Sequence, residues 1–192
     1  VWLGCEQGAI EMSESEWIMR KTDQGWANNY VHCLMIETSG RVWAGTNAGA
    51  NLYADGVWKT FRKSDGLVSD TVLAIAQDPA GAVWFGTDRG VSRYDGEQWV
   101  SYGKADGLAE PNVRAIGCDQ KGRTWFGTQG GGMTRFDGKN WTTFTQRDGL
   151  GGDYVTSISI DKEGQIWAAS WGGGVSVYDG ARWTTFNAAQ GL

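Results

Sequence analysis

Ten of the twelve tryptophans recur at a fixed period, thirty glycines stand against two prolines, and Asp-Gly pairs recur between short apolar runs. These three observations predict an all-β fold, a β-propeller of four-stranded antiparallel blades with almost no helix. The first tryptophan set, Trp2, Trp43, Trp84, Trp125 and Trp167, is spaced 41, 41, 41 and 42 residues. The second, Trp17, Trp58, Trp99, Trp141 and Trp183, follows the first by 15, 15, 15, 16 and 16 residues. The extra residue of the last two copies falls in one glycine-rich turn, "TQGGG" and "SWGGG" against "TDRG" and "TNAG". Strand lengths are therefore constant while one loop grows. A β-sandwich needs no fixed period, and the coils of a β-helix are shorter and parallel.

Each period reads as four strands. The first is an apolar run, "VHCLMIE", "VLAIAQD", "VRAIGCD" or "VTSISID", whose alternating small and large residues fit a strand packed on both faces. A glycine turn ("ETSGR", "DPAGA", "DQKGR", "DKEGQ") leads to the second strand, the "VWFGT" element. The third, as in "GVSRYDG", ends in Asp95-Gly96, Asp137-Gly138 or Asp179-Gly180, a hairpin signal because glycine tolerates positive φ. The fourth, "EQWVSY", "KNWTTF" or "ARWTTF", runs through "ADGL", "RDGL" or "QGL" toward the next copy. The repeats are 1–41, 42–82, 83–123, 124–165 and 166–192, giving about five blades of 41–42 residues in a single propeller domain or a fragment of one. Val1-Trp2 already reads as a second strand, so the first blade is expected to lack its innermost strand. The edge this leaves is an expected site of self-association.

Charge and composition narrow the partners. Net charge is −5 and the Lys and Arg residues are scattered singly, which excludes the basic stripe that nucleic acid requires. No apolar run approaches the roughly 18 residues of a membrane-spanning helix, so no membrane contact is expected of this chain. Cys5, Cys33 and Cys118 are odd in number, occupy strand-like segments and lack metal-ligand spacing; they read as buried or half-buried thiols. No metal and no cofactor is expected.

The periodic residues serve the fold. Both tryptophan sets are expected to hold blades together through buried aromatic surface. Gly45, Gly86 and Gly127 follow the aromatic position, where a side chain would obstruct the neighbouring blade; Gly49, Gly90, Gly132 and Gly174 close the turn into the third strand. No "GGG" run precedes a helix, which excludes a phosphate-cradling loop. The recurring carboxylates Asp78, Asp119 and Asp161 read as turn stabilisers. Catalysis has little to work with: a single histidine, His32, reads as a strand residue at the position of Leu73, Arg114 and Thr156, and no serine sits in a nucleophile elbow. The chain is not expected to be an enzyme.

Binding falls to residues that break the period. The turn between second and third strands and the connection from a fourth strand to the next first strand open on one face of a propeller. The candidates there are Trp171, Tyr154, Asp153, Tyr30, Asn28, Asn29, Asp88, Arg89 and Gln129, with Asp70 and Glu110. Aromatic rings beside Asn, Asp and Gln form the kind of surface that stacks on a sugar ring and bonds its hydroxyls. A small-molecule or carbohydrate ligand is therefore the expected partner.

The unit "G-x-V-W-F-G-T-x-x-G-V-x-R-Y-D-G-x-x-W-x-x-Y/F…D-G-L…V-x-x-I-x-x-D" resembles the two-component regulator propeller repeat. The resemblance covers the whole chain and is weaker in the first copy, where "SESEW" and "DQGW" replace the Asp-Gly hairpin and the "DGL" element. It implies the extracytoplasmic sensor region of a bacterial hybrid sensor kinase, hence a periplasmic or extracellular location and a small-molecule or oligosaccharide signal. The alternative is a lectin-like or protein-docking propeller without a signalling role. Such sensors carry more blades and further modules, none of which lies within these residues.

Overall fold

The computed structural model describes residues 1–12, 16–20 and 30–191. The first blade holds β1 (Trp2–Cys5), β2 (Gly8–Met12) and β3 (Trp17–Arg20) as a three-stranded sheet. The second holds β4 (Val31–Ile36), β5 (Val42–Thr46), β6 (Gly49–Ala54) and β7 (Val57–Phe61). The third holds β8 (Val72–Gln77), β9 (Val83–Thr87), β10 (Val91–Tyr94) and β11 (Trp99–Tyr102). The fourth holds β12 (Val113–Cys118), β13 (Thr124–Thr128), β14 (Met133–Phe136) and β15 (Trp141–Phe144). The fifth holds β16 (Val155–Ile160), β17 (Ile166–Ser170), β18 (Gly174–Tyr178) and β19 (Trp183–Phe186). All pairings are antiparallel between sequence neighbours, as hairpin-linked strands require. Among the described residues the first sheet has the order β1-β2-β3, with β1 at its edge. The "SESEW" and "DQGW" departures fall largely outside the described residues.

Blades are joined by a repeated aromatic clasp. The second-strand tryptophan of one blade meets the third- and fourth-strand aromatics of the next. Trp2 lies 5.5 Å from Tyr53 and 5.7 Å from Trp58, Trp84 lies 6.0 Å from Phe136, and Trp125 lies 5.6 Å from Tyr178. The last aromatic of the fourth strand faces the same way: Phe61, Tyr102 and Phe144 meet Trp99, Trp141 and Trp183 at 5.6, 5.5 and 5.8 Å. In the second, third and fourth blades the second-strand indole N–H donates to the first-turn carboxylate six residues earlier, Trp43 to Glu37, Trp84 to Asp78 and Trp125 to Asp119. Asp78 and Asp119 also accept turn backbone N–H groups, and Glu37 accepts the Ser39 hydroxyl and the Arg41 guanidinium, so each carboxylate ties its hairpin to the interblade core.

The "DGL" element proves to be part of this packing. Asp65, Asp106 and Asp148 accept the backbone N–H three residues earlier at 2.8 Å, closing short 3-10 turns. Gly66 and Gly107 take φ of 121° and 120° directly beneath Trp99 and Trp141 of the following blade, where a Cβ would lie 2.6 and 2.7 Å from the tryptophan Cβ. Leu67, Leu108 and Leu150 are buried in the three interblade clusters.

The expectation that both tryptophan sets contribute buried aromatic surface needs correction at Trp17 and Trp167; Trp2, Trp58, Trp99 and Trp141 are half-buried. Trp17 is 67% exposed and Trp167 37% exposed, whereas Trp43 and Trp125 are inaccessible. The reason is geometric: at internal joints the neighbouring blade covers these positions, as Phe61 does Trp99 and Tyr178 does Trp125, and no described blade covers Trp17 or Trp167.

Candidate functional site

The second-to-third strand turns are set by the residue that ends the "VWFGT" element. Thr46, Thr87 and Thr128 donate their hydroxyls to the carbonyls of Gly49, Gly90 and Gly132 at 2.9 Å and accept a turn N–H in return. The residue after each threonine, Asn47, Asp88 or Gln129, is thereby held at the rim. The turn also touches the incoming connection, because Gly130 and Gly132 donate to the Asp153 carbonyl at 3.0 and 2.8 Å, and Trp171 N–H to the Tyr154 carbonyl at 2.8 Å. Both loops thus open on one face.

All four complete blades share a feature that periodicity does not show. The first strand slips register between Val31 and Cys33, Val72 and Ala74, Val113 and Ala115, and Val155 and Ser157. A bulge leaves its extra residue out of the ladder and re-aims its side chain. The residues so released are His32, Leu73, Arg114 and Thr156, and together with Tyr154 they line one cavity of about 260 Å³. A second cavity of about 250 Å³ runs along the same four strands past Cys33, Ile75, Ile116 and Ile158.

Each released residue lies fifteen positions before a rim residue, and two of these pairs are bonded. His32 Nε2 and Asn47 Oδ1 share a hydrogen bond of 2.7 Å. Arg114 donates through Nε at 3.2 Å and Nη2 at 2.7 Å to Gln129 Oε1. Leu73 offers Asp88 no donor, and Asp88 instead accepts the Ser69 hydroxyl at 2.6 Å. In the fifth blade the rim position is Trp171, 78% exposed, whose ring stacks beside Tyr154 at 6.4 Å and 29°. Tyr30 lies against His32, ring centroids 4.8 Å apart.

The structure therefore gathers Tyr154, Trp171, Gln129 and Tyr30 around the residues released by the bulges. Other candidates are engaged in turns. Asp153 accepts the Gln146 N–H at 2.8 Å, Asp70 the Lys63 N–H at 2.6 Å, and Glu110 pairs with Lys104 at 2.7 Å. Arg89 extends into solvent, 4.0 Å from Asp88. Asn28 and Asn29 lie outside the described residues. From sequence alone His32 reads as a strand residue, at the position shared by Leu73, Arg114 and Thr156. The signal that could have found them was a column holding His, Leu, Arg and Thr directly after an unvarying valine.

On the opposite face, titration is dominated by structural carboxylates. Burial pushes the Asp119 carboxyl up, but the Trp125 indole, the Arg123 N–H and the Arg123 guanidinium outweigh it and hold the group below its ordinary 3.8. Asp161 is lowered chiefly by the Trp167 indole, and Asp95, Asp137 and Asp179 by hairpin N–H groups. A folded-state value below the unfolded one means stabilisation that is complete above the unfolded pKa and lost as pH falls through the folded one. Melting temperatures should accordingly fall as pH drops below about 3.8, and the fall should be shallower in Asp119→Asn. Thermal melts by circular dichroism across that range check both. Burial also pushes the Cys33 and Cys118 thiols up to about 12, so neither is a reactive thiolate at neutral pH.

Residues 66–89 and 149–172 match the family model described as two component regulator propeller. Each span runs from the "DGL" glycine, Gly66 or Gly149, through the bulged first strand to the rim turn, and these two spans carry this repeat. Among solved structures, it resembles the extracellular domain of the hybrid two component system BT3049 from B. thetaiotaomicron (TM-score 0.85, 24% identity, 100% of this chain and 27% of that one). It also resembles the extracellular domain of BT4673 from the same organism (TM-score 0.78, 17% identity, 97% and 29%). A third match is virginiamycin B lyase from Staphylococcus aureus (TM-score 0.71, 17% identity, 95% and 63%). The chain spans less than a third of the two sensor domains, and the likenesses show a shared propeller fold. That fold serves both sensors and an enzyme. No curated protein sequence matches the chain. Among the described residues, no helix is long and apolar enough to cross a membrane.

Proposed function

We propose that this propeller is a non-catalytic ligand-binding module of a bacterial two-component receptor, placed in the periplasm or outside the cell, and that it takes a small molecule or oligosaccharide at the inner rim. The observation that carries this reading is the stack of exposed Trp171 on half-buried Tyr154, standing beside the cavity that His32, Arg114 and Thr156 line. An aromatic face next to several hydrogen-bonding groups is how a sugar ring is held and its hydroxyls read. Arg114 bonds a neutral amide, and the lining of that cavity includes no carboxylate, so its guanidinium is left for an acidic group on the ligand. His32 there faces Asn47 and Tyr30, and among the described residues that line the cavity none is a carboxylate that could form an acid–base pair with it, which supports binding over turnover.

Calorimetric titration with neutral and uronic-acid-containing oligosaccharides tests the reading. For a ligand that binds, Trp171→Ala and Tyr154→Ala should each weaken affinity by roughly tenfold, about 1.4 kcal/mol, with melting temperature little changed. Arg114→Ala should erase any preference for the acidic sugar. A ligand whose affinity survives all three substitutions rejects this site.

A further inference from the structure

Four blades carry a carboxylate six residues before the second-strand tryptophan, and two of them answer it with an arginine two residues before that tryptophan. Arg41 reaches Glu37 at 2.7 Å and Arg123 reaches Asp119 at 2.6 Å. In the third blade this column holds Ala82. Asp78, a side chain 12% exposed, is paired instead with Arg93 of the third strand at 3.6 Å, beyond the range of a charge-assisted hydrogen bond.

The shorter side chain leaves room. The joint between the third and fourth blades holds a cavity of about 340 Å³ whose walls include Asp78, Trp84, Arg93, Tyr102, Thr124 and Phe136. Its counterpart at the next joint, about 360 Å³, is lined by Asp119 and Arg123 but not by Trp125, Phe144 or Tyr178; there the Arg123 guanidinium stands over the Trp125 ring at 5.6 Å. Two more exchanges make the third-to-fourth joint receptive to a polar group. Thr124 occupies a column that elsewhere holds Val42, Val83 and Ile166, and its buried hydroxyl meets the Cys118 thiol at 3.9 Å, a weak partner. Phe136 stands in the column of Tyr94, whose hydroxyl bonds the Gly96 carbonyl at 2.6 Å; Gly138, the counterpart of Gly96, lines the cavity.

We propose that this cavity binds a guanidinium group, which takes the place that Arg123 holds in the next blade. Its N–H groups donate to the Asp78 carboxylate and the Thr124 hydroxyl, and its plane lies against the Trp84 ring. Arg93 does not exclude it, because Arg123 and Arg135 together flank Trp125, each 5.6 Å from the ring. A free guanidinium compound and an arginine side chain projecting from a partner share this chemistry. The site lies among the first turns, on the face opposite the inner rim, and is independent of the ligand proposed there.

Nuclear magnetic resonance titration of the intact chain tests the proposal through the Trp84 indole N–H, assigned by its loss in Trp84→Phe. The probes are ethylguanidinium with its neutral isostere ethylurea, and the peptide Gly-Arg-Gly with Gly-citrulline-Gly. A guanidinium probe should shift the Trp84 resonance saturably, and its neutral isostere should bind weaker by about tenfold or more. Tighter binding of ethylguanidinium assigns a free compound as the source, and tighter binding of Gly-Arg-Gly assigns a partner's side chain. Ala82→Arg, which restores the residue of the second and fourth blades, should fill the site and abolish binding without lowering the melting temperature. Asp78→Asn, which keeps an acceptor for the Trp84 indole, should weaken binding by about tenfold or more. A Trp84 resonance unmoved by both guanidinium probes, equal binding of the neutral isosteres, or binding that survives Ala82→Arg overturns the proposal.

Discussion

Replacing Trp125 by alanine should lower stability by about 3–5 kcal/mol, the range for a large aromatic removed from a core that cannot collapse around the gap. The ring is inaccessible to solvent and stands among Phe144, Tyr178 and Trp183 at 5.7, 5.6 and 6.5 Å, so its loss opens a void shared by two blades. Arg123 and Arg135 lie over its faces at 5.6 Å, and Asp119 would lose the indole donor that offsets its burial. In a chain of 192 residues this corresponds to a drop of roughly 10 °C in melting temperature. Trp167→Ala is the matched control: the same repeat position on an open face should cost much less. Equal losses at the two sites, measured by urea unfolding, would show that the tryptophan acts within its own sheet and not across the joint.

Gly127→Val should cost about 3 kcal/mol, at the upper end for overpacking. A Cβ there would sit 2.6 Å from Val155 Cγ1 and 3.0 Å from Val155 Cβ, and Val155 is a buried strand residue that cannot retreat without moving β16. Since β16 carries Thr156 and follows Tyr154, the substitution should also disturb the inner rim. Ala169→Val places the same side chain on the uncovered face of the fifth blade, and in dilute solution should stay within about 0.5 kcal/mol of wild type. Paired unfolding curves separate the two cases.

Strand order, blade period and the short first blade were legible because each rests on signals that tertiary context does not override: a tryptophan period near 41, glycine at forced turns, and Asp-Gly hairpins. The site was legible only in part. Trp171 and Tyr154 stood out because they broke the period, and the structure places them together. Arg114 and His32 did not, because a bulge is a property of register and register needs both strands; the run "VRAIGCD" alternates as well with the bulge as without it. Asp153 and Asp70 looked free for the converse reason. Their partners are backbone N–H groups seven residues away, which side-chain chemistry alone does not reveal. Nor could the period distinguish Trp17 and Trp167 from their buried or half-buried equivalents, because exposure at these positions depends on what packs against the blade.

The bulge in every complete blade has a consequence for how such a protein can change. A residue excluded from the ladder bears neither on strand pairing nor on the aromatic clasp, so His32, Leu73, Arg114 and Thr156 can be exchanged while the blade that carries them stays intact. If the inner rim binds a ligand as proposed, these residues and their rim partners fifteen positions later form a small set of interchangeable letters, one per complete blade, read together. Recognition can then be rewritten by drift at these columns alone, and duplication of a blade adds a letter without recomposing the rest.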